Sequence, residues 1–558
     1  MTGNGAGAAR AEEWYNLLDE PWIVGVLDGG RHAEMSLLDV FRRAHEIRIL
    51  GGEVPTQAFA VLRLLLAILH RAVQGPATVD DWIRVRDDWA LTVRRVEEYL
   101  ERYRDRFYLF HPTDPFMQVA GLGTSSNEAP LTRLIADVPT REPFMTTRLG
   151  QGLQRLSLSE AARWLVHAHA FDTSGNKTGV PGHPRAKNGK VFPEGVSWGG
   201  RLGGVYAEGD DLRETLLLNL IALDEPELGL RHGPEDAPVW ERPRIGVGPD
   251  PSGTEPRGVV DTYTWQSRRI RLVTDGESVV AVVLTYGDGI SASNRMDVEP
   301  MSAWRYSEGQ SKAQSADVYL PARHEPGRDL WRGLAALLPH AVDTLRRRAE
   351  RRRGIPPAIV LWLGIVQRDG LLSRPLTRLR AVGVEYGHRP RNTSYAEILD
   401  DAIALPSDAL ADEDAAALVI HAADLGESVV EALISLHRNV LVAEGSAETE
   451  ARNSAKIATG ERAYREVGSA YRAWVERSAT MTRDAALDDW RDVLRDRATA
   501  IADAILAGAS PAAWRVRPTD DSSRRPDAGL ADRWFRSTLT KLLAVAPQLI
   551  AEEGGEAA

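Results

Sequence analysis

Apolar residues recur at spacings of three and four through "DEDAAALVIHAADLGESVVEALISLHRNVLVA", "ERAYREVGSAYRAWVERSA", "TRDAALDDWRDVLRDRATAIADAILAGA" and "LADRWFRSTLTKLLAVAPQLI". In the second stretch Tyr464, Val467, Tyr471, Trp474 and Val475 fall on one helical face. Four such segments with short connections predict a C-terminal four-helix bundle over residues 405–558. Upstream the pattern changes. "WIVGVLDGGRHAEMSLLDVFRRA" reads as a strand, a turn at Asp28-Gly29 and a helix capped near Ser36. Pro55-Thr56 opens the most apolar run, "AFAVLRLLLAILHRAV", and residues 80–107 continue as an amphipathic helical stretch. The apolar run is interrupted by Arg63, His70 and Arg71 and is short for a bilayer, so it predicts a core helix.

"FHPTDPFMQV" is too rich in proline for a helix and reads as an ordered connection. "DLRETLLLNLIAL" predicts a helix over 211–223, and "SVVAVVLTY" a buried strand. "LWRGLAALLPHAVDTLRRRAERRRG" predicts a helix that turns basic and ends at Gly354. Long Gly/Pro segments separate these elements between residues 112 and 310. The expectation is an α+β chain: a disordered start (1–12), a large mixed domain with long loops (13–404), then the four-helix bundle.

A chain of 558 residues exceeds a single hydrophobic core, in line with more than one domain. Cysteine is absent, which excludes disulfides, thiolate nucleophiles and zinc–thiolate sites. That absence and the lack of a basic, then apolar, N-terminal stretch fit a cytoplasmic protein without a membrane partner. The net charge of −11 argues against a general nucleic-acid coat, so the distribution of charge matters more than its sum.

That distribution is uneven in two places. Twelve arginines lie between Arg346 and Arg391 against three carboxylates, a footprint suited to a polyanion. The alternative is a solvated face, or a salt-bridge partner for the acidic segment 405–450. The second place is "FDTSGNKTGVPGHPRAKNGKVFPEGVSWGGRLGG", with nine glycines and three of the chain's six lysines, Lys177, Lys187 and Lys190. Glycines let a backbone approach a sugar-phosphate surface, lysine acts as a flexible point charge, and asparagine can read minor-groove acceptors. A mobile surface loop is the plainer reading.

Catalytic constellations are missing from the sequence. "SGNKT" lacks the spacing of a phosphate-binding loop, and no G-x-S-x-G elbow is present. His167, His169 and Asp172 in "HAHAFD" could hold a metal for a hydrolase, but positions i and i+2 of a helix point apart, which favours core histidines. No cofactor and no enzymatic activity are expected.

"YNLLDEPWIVGVLDGG", "EMSLLDVFRRAHEIRILGGEVPTQAFAVLRLLLAILHRA", "FHPTDPFMQV", "FDTSGNKTG", "SWGGRLGG" and "LRETLLLNLI", followed by the helical C-terminal region, together resemble the CasA family, large subunits of the type I-E CRISPR Cascade complex. The resemblance runs from about Tyr15 to the C-terminus. It implies a non-catalytic subunit assembled with CRISPR RNA and other Cascade proteins. Such a subunit reads a protospacer-adjacent motif in double-stranded DNA from the minor groove, helps open the duplex and recruits a helicase-nuclease. Carried over by position, the family's motif loop falls on Gly175, Asn176, Lys177, Thr178 and Gly179, with Lys177 supplying charge to the phosphate edge. The loop facing the RNA handle falls on Phe144, Met145 and Thr146. The family's lysine finger has no lysine here, so Asn294 or Arg295 would substitute. The strand-separating wedge falls within "EYGHRPRNTSY", on His388, Arg389, Arg391 and Asn392, with Asn392 in the place of the family glutamine. Arg346, Arg347, Arg348, Arg351, Arg352 and Arg353 would hold DNA backbone. A purely architectural subunit, binding CRISPR RNA and partner proteins without reading DNA, is the alternative.

Overall fold

The computed structural model describes residues 14–123, 128–136, 148, 150–250, 255–325, 327–339, 354–372, 374–389, 392–515 and 527–544. The expected disordered start, the RNA-handle loop Phe144–Thr146, the six arginines Arg346–Arg353 and Arg391 lie outside the described residues, as do the side chains of His388, Arg389 and Asn392. The chain is α+β and divides into two compact units. The first ends at Ala411; the second joins Trp331–Leu334 to the residues from Asp412 onward.

The core helix of the first unit, Pro55–Val73, begins where Pro55 needs no N–H partner and ends on Gln74, a residue in the left-handed conformation. By length and composition it could cross a membrane, yet most of it is buried within the protein. Its charged interruptions are accommodated internally. Arg63 makes paired hydrogen bonds of 2.7 and 2.8 Å to Glu299, whose carboxylate also accepts from Trp198 Nε1 at 2.7 Å. His70 is neutral, held down to about 4 by burial, and bonds to the Gly75 carbonyl. Arg71 pairs with Glu241.

The amphipathic stretch 80–107 is two helices, Val79–Asp87 and Trp89–Arg102, because Asp88 leaves helical geometry and caps the second by accepting from Leu91 N at 2.9 Å. The helix expected over 211–223 stops at Asn219. Its side-chain amide bonds the Ala207 N–H and carbonyl and the Thr215 carbonyl, tying the helix end to a strand. The expected basic helix begins instead as a 3-10 helix over Leu330–Ala336 that gives way to a turn, and residues 340–353 lie outside the described residues.

All the described ladders are antiparallel. Val279–Tyr286 pairs with Arg268–Thr274, and the longest hairpin pairs Leu376–Arg389 with Asn392–Pro406. Because the second arm reaches Pro406 and a 3-10 turn follows over Ser407–Leu410, the helical region starts several residues after Leu405.

The second unit contains the four expected helices, Glu413–Glu444, Glu461–Ser478, Arg483–Ala507 and Ala528–Leu542. A short helix, Glu448–Ala455, leads into the second through a π turn at Lys456–Gly460. Tyr471, Trp474 and Trp490 pack together in tilted and edge-on contacts, and each donates its polar hydrogen to a backbone carbonyl. Tyr464, expected on that buried face, instead donates to Glu431 and lies beneath the Arg332 guanidinium.

Candidate nucleic-acid interface

The lysine-bearing loop is built on the end of the helix Leu158–Phe171. Ser157 caps its start, and its final turn places His167 and His169 in the core. His167 Nε2 lies 2.9 Å from Thr56 Oγ1, and His169 Nε2 donates to the Met117 carbonyl at 2.9 Å. Burial pushes both imidazoles down to about 3, so they are neutral packing residues. Asp172 turns elsewhere, to Lys177 and Arg268, so the three do not form one ligand set. No cluster of His, Cys, Asp or Glu suited to a metal occurs among the described residues.

Asp172 organises the base of the loop. Its buried carboxylate accepts from Lys177 Nζ at 2.5 Å and from Arg268 Nε. Burial alone would raise the carboxyl, but the two cations hold it below its usual range. Arg268 lies over the Tyr286 ring at 4.6 Å and donates to the carbonyls of Asp172, Thr173 and Gly195. Tyr286 Oη donates to the Gly175 carbonyl and accepts from the Gly175 N–H, fixing the start of the glycine segment.

From there the chain makes a two-stranded ribbon. Lys177 pairs with Val191 and Thr178 with Lys190, and the Gly179 N–H donates to Gly189 at 2.9 Å. A side chain on Gly179 would bring its Cβ within 2.5 Å of Lys190 N, so only glycine allows this approach. Lys187 and Lys190 close the far end by reciprocal backbone hydrogen bonds. Between them Asn188 (φ 51°) and Gly189 (φ 71°) both have positive φ, the requirement of a type I′ turn.

Strand alternation decides which lysines face solvent. Lys177 and Val191 point inward, 7 % and 0 % exposed, whereas Lys190 and Lys187 are exposed and Asn176 and Thr178 half-exposed. The expectation that Lys177 supplies charge to a phosphate edge is therefore corrected: its ammonium is committed to Asp172. Burial, reinforced by Arg268, lowers its pKa to about 8 despite that carboxylate. Among the described residues, neither Lys187 nor Lys190 has a carboxylate partner.

The family described as CRISPR-associated protein Cse1 matches residues 16–501. The chain belongs to the CRISPR-associated Cse1 family. A CasA/Cse1 protein of Thermus thermophilus is 34 % identical over 340 residues, 59 % of this chain and 61 % of the relative, so the aligned part spans under two thirds of that protein. The crystal structure of Thermobifida fusca Cse1 superposes with a TM-score of 0.85 at 39 % identity, covering 95 % of this chain and 98 % of the other. A chain of a CRISPR RNA-guided surveillance complex shares the fold, with a TM-score of 0.59 at 18 % identity, covering 94 % and 99 %.

The remaining expected sites of this Cse1-family chain are dispersed. His388, Arg389 and Asn392 stand at the closed end of the long hairpin, where Arg389 is in register with Asn392. Asn294 and Arg295 do not form a free finger. Asn294 donates to the Asp317 carbonyl and accepts from Tyr319 N, and Arg295 is buried against Glu255. Of the arginine belt, Arg368 pairs with Glu227 and Arg374 with Asp210 and Glu214; Arg378 and Arg380 share Glu208, and Arg380 also takes Asp400. None of these carboxylates belongs to the acidic segment 405–450. Arg268, unremarkable in sequence, is the residue the sequence reading missed. Its alternation with Ile270 and Leu272 gives only a strand signal, and nothing in one dimension ties it to Asp172.

Proposed function

We propose that this Cse1-family chain is the non-catalytic large subunit of an RNA-guided CRISPR surveillance complex. In this reading it works in the cytoplasm with CRISPR RNA and the other Cascade subunits. The outward face of the ribbon reads the protospacer-adjacent motif in double-stranded DNA from the minor groove. The closed end of the long hairpin, with Asn392 at its tip, separates the strands, and the protein recruits a helicase-nuclease. The six arginines Arg346–Arg353 hold the DNA backbone, and the segment Phe144–Thr146 meets the RNA handle.

The observation that carries this reading is the chemistry of the ribbon face. Asn176 and Thr178 offer short polar groups beside the exposed ammonium groups of Lys187 and Lys190, while Asp172, Arg268 and Tyr286 hold its base in place. Short side chains and backbone suit a shallow groove with a degenerate pattern of acceptors, and flanking cations suit its phosphate walls. Lys177 serves as the internal anchor of that face.

The test is a gel shift of the assembled complex, with and without this subunit, on duplexes that differ only at the adjacent motif. Motif-dependent binding that requires the subunit and weakens with Asn176→Ala is expected. Equal binding of motif-bearing and motif-lacking duplexes by the complete complex would overturn the reading.

A further inference from the structure

One residue past the ribbon, Phe192 is 60 % exposed, and Pro193 beside it is exposed as well. Five large apolar side chains are exposed among the described residues, and Phe192 is the one in the first unit; Ile457, Met481, Trp514 and Trp534 belong to the second. Positions 190, 191 and 192 run exposed, buried, exposed, so Lys190 and Phe192 both reach solvent while Val191 fills the core. The nearest acidic position along the chain, Glu194, is paired with Arg185 at 2.8 Å, whereas the exposed Lys187 and Lys190 just before Phe192 have no carboxylate partner among the described residues.

We infer that Phe192 is an apolar wedge that enters a base step of double-stranded DNA from the minor groove, beside the pairs read by the ribbon. This rests on the proposed reading of the ribbon face and adds a residue and a mechanical role to it. Exposing a phenyl ring to water forfeits the gain from burying it, and such a ring two residues after an exposed lysine fits a ligand that offers phosphates and a stacked apolar interior together. Duplex DNA offers both: the lysines straddle the backbone while the ring unstacks one step. Pro193 stiffens the backbone just behind the ring. Partial unstacking at that step lowers the work of strand separation, so the wedge would act before the long hairpin.

The experiment uses the complete complex with its guide RNA and target duplexes carrying 2-aminopurine at successive positions from the adjacent motif. With the native protein, one step near the motif should brighten on binding. Phe192→Ala should abolish that signal and weaken duplex binding by about 10-fold, the effect of losing one base–aromatic stack. It should leave the slope of affinity against salt unchanged, since no charge is removed, and Phe192→Trp should restore the signal. If Phe192→Ala keeps both the brightening and the affinity while the complex still distinguishes motifs, the wedge is wrong and the ribbon reading stands. If the native complex does not distinguish motifs at all, the ribbon reading itself fails. Loss of the subunit from the complex in Phe192→Ala and its recovery with Phe192→Trp, seen by size-exclusion chromatography without DNA, would overturn the wedge in favour of a protein contact.

Discussion

Two lysines of the ribbon reach solvent and one does not, and this difference has a measurable consequence. Replacing Lys187 and Lys190 together by alanine should remove two phosphate contacts, while Lys177→Met should remove none. Each contact on duplex DNA contributes about −0.9 to the slope of log K against log salt, so the double variant should flatten the slope by about 2. If each contact loses its value near 1 M salt, affinity at 0.15 M should fall by about 30-fold, or about 2 kcal/mol. Fluorescence anisotropy of a labelled target duplex titrated with the assembled complex, from about 50 to 200 mM salt, gives both numbers. The losses should be similar for motif-bearing and motif-lacking duplexes. A Lys177→Met slope reduced by about 1 would mean that Lys177 leaves Asp172 to meet a phosphate, and an unchanged slope in the double variant would take the ribbon off the DNA backbone.

Other outcomes follow from the buried groups. Because burial lowers Lys177 to about 8, the unfolded chain binds more protons between pH 8 and 10.5, and wild-type stability should rise through that window by up to about 3 kcal/mol. Urea unfolding at pH 7.5 and 9.5 should show that rise diminished in Lys177→Met; the same rise in both would reject the assignment. His167 and His169 are neutral in the fold and titrate near 3, so stability should fall as pH drops below 6.5, by about 2 kcal/mol for each at pH 5. Thermal unfolding at pH 7 and 5 should show a smaller fall in His169→Gln. Arg63→Met leaves Glu299 buried without its cation and should cost about 3–5 kcal/mol, read by urea unfolding. Gly179→Ala should force the ribbon strands apart and reduce motif discrimination, with little change in the unfolding of the second unit.

The helices of the second unit were legible because each buries one face, and three- and four-residue spacing records that directly. The core helix Pro55–Val73 was legible for the same reason, even though Arg63 and His70 interrupt it; their partners Glu299 and Gly75 become evident only in three dimensions. The break at Asp88 was the type of boundary that an aspartate before an apolar run can signal, yet the amphipathic pattern on both sides masked it. At the ribbon, composition located the loop correctly and misjudged Lys177. Side-chain direction in a strand depends on register, and two-residue strands carry too little alternation to fix it. The described part of the arginine belt shows a related limit: a run of like charges says nothing about carboxylates brought beside it by a sheet, as Glu208 is brought to Arg378 and Arg380.

We propose that the outward face of this ribbon lies against the target duplex. A photocrosslinking amino acid placed at Asn188, in the exposed turn between the two surface lysines, tests it within the complete complex carrying guide RNA and target DNA. Crosslinks to target-duplex nucleotides bordering the adjacent motif are expected. Crosslinks confined to guide RNA or to neighbouring protein subunits would contradict the claim.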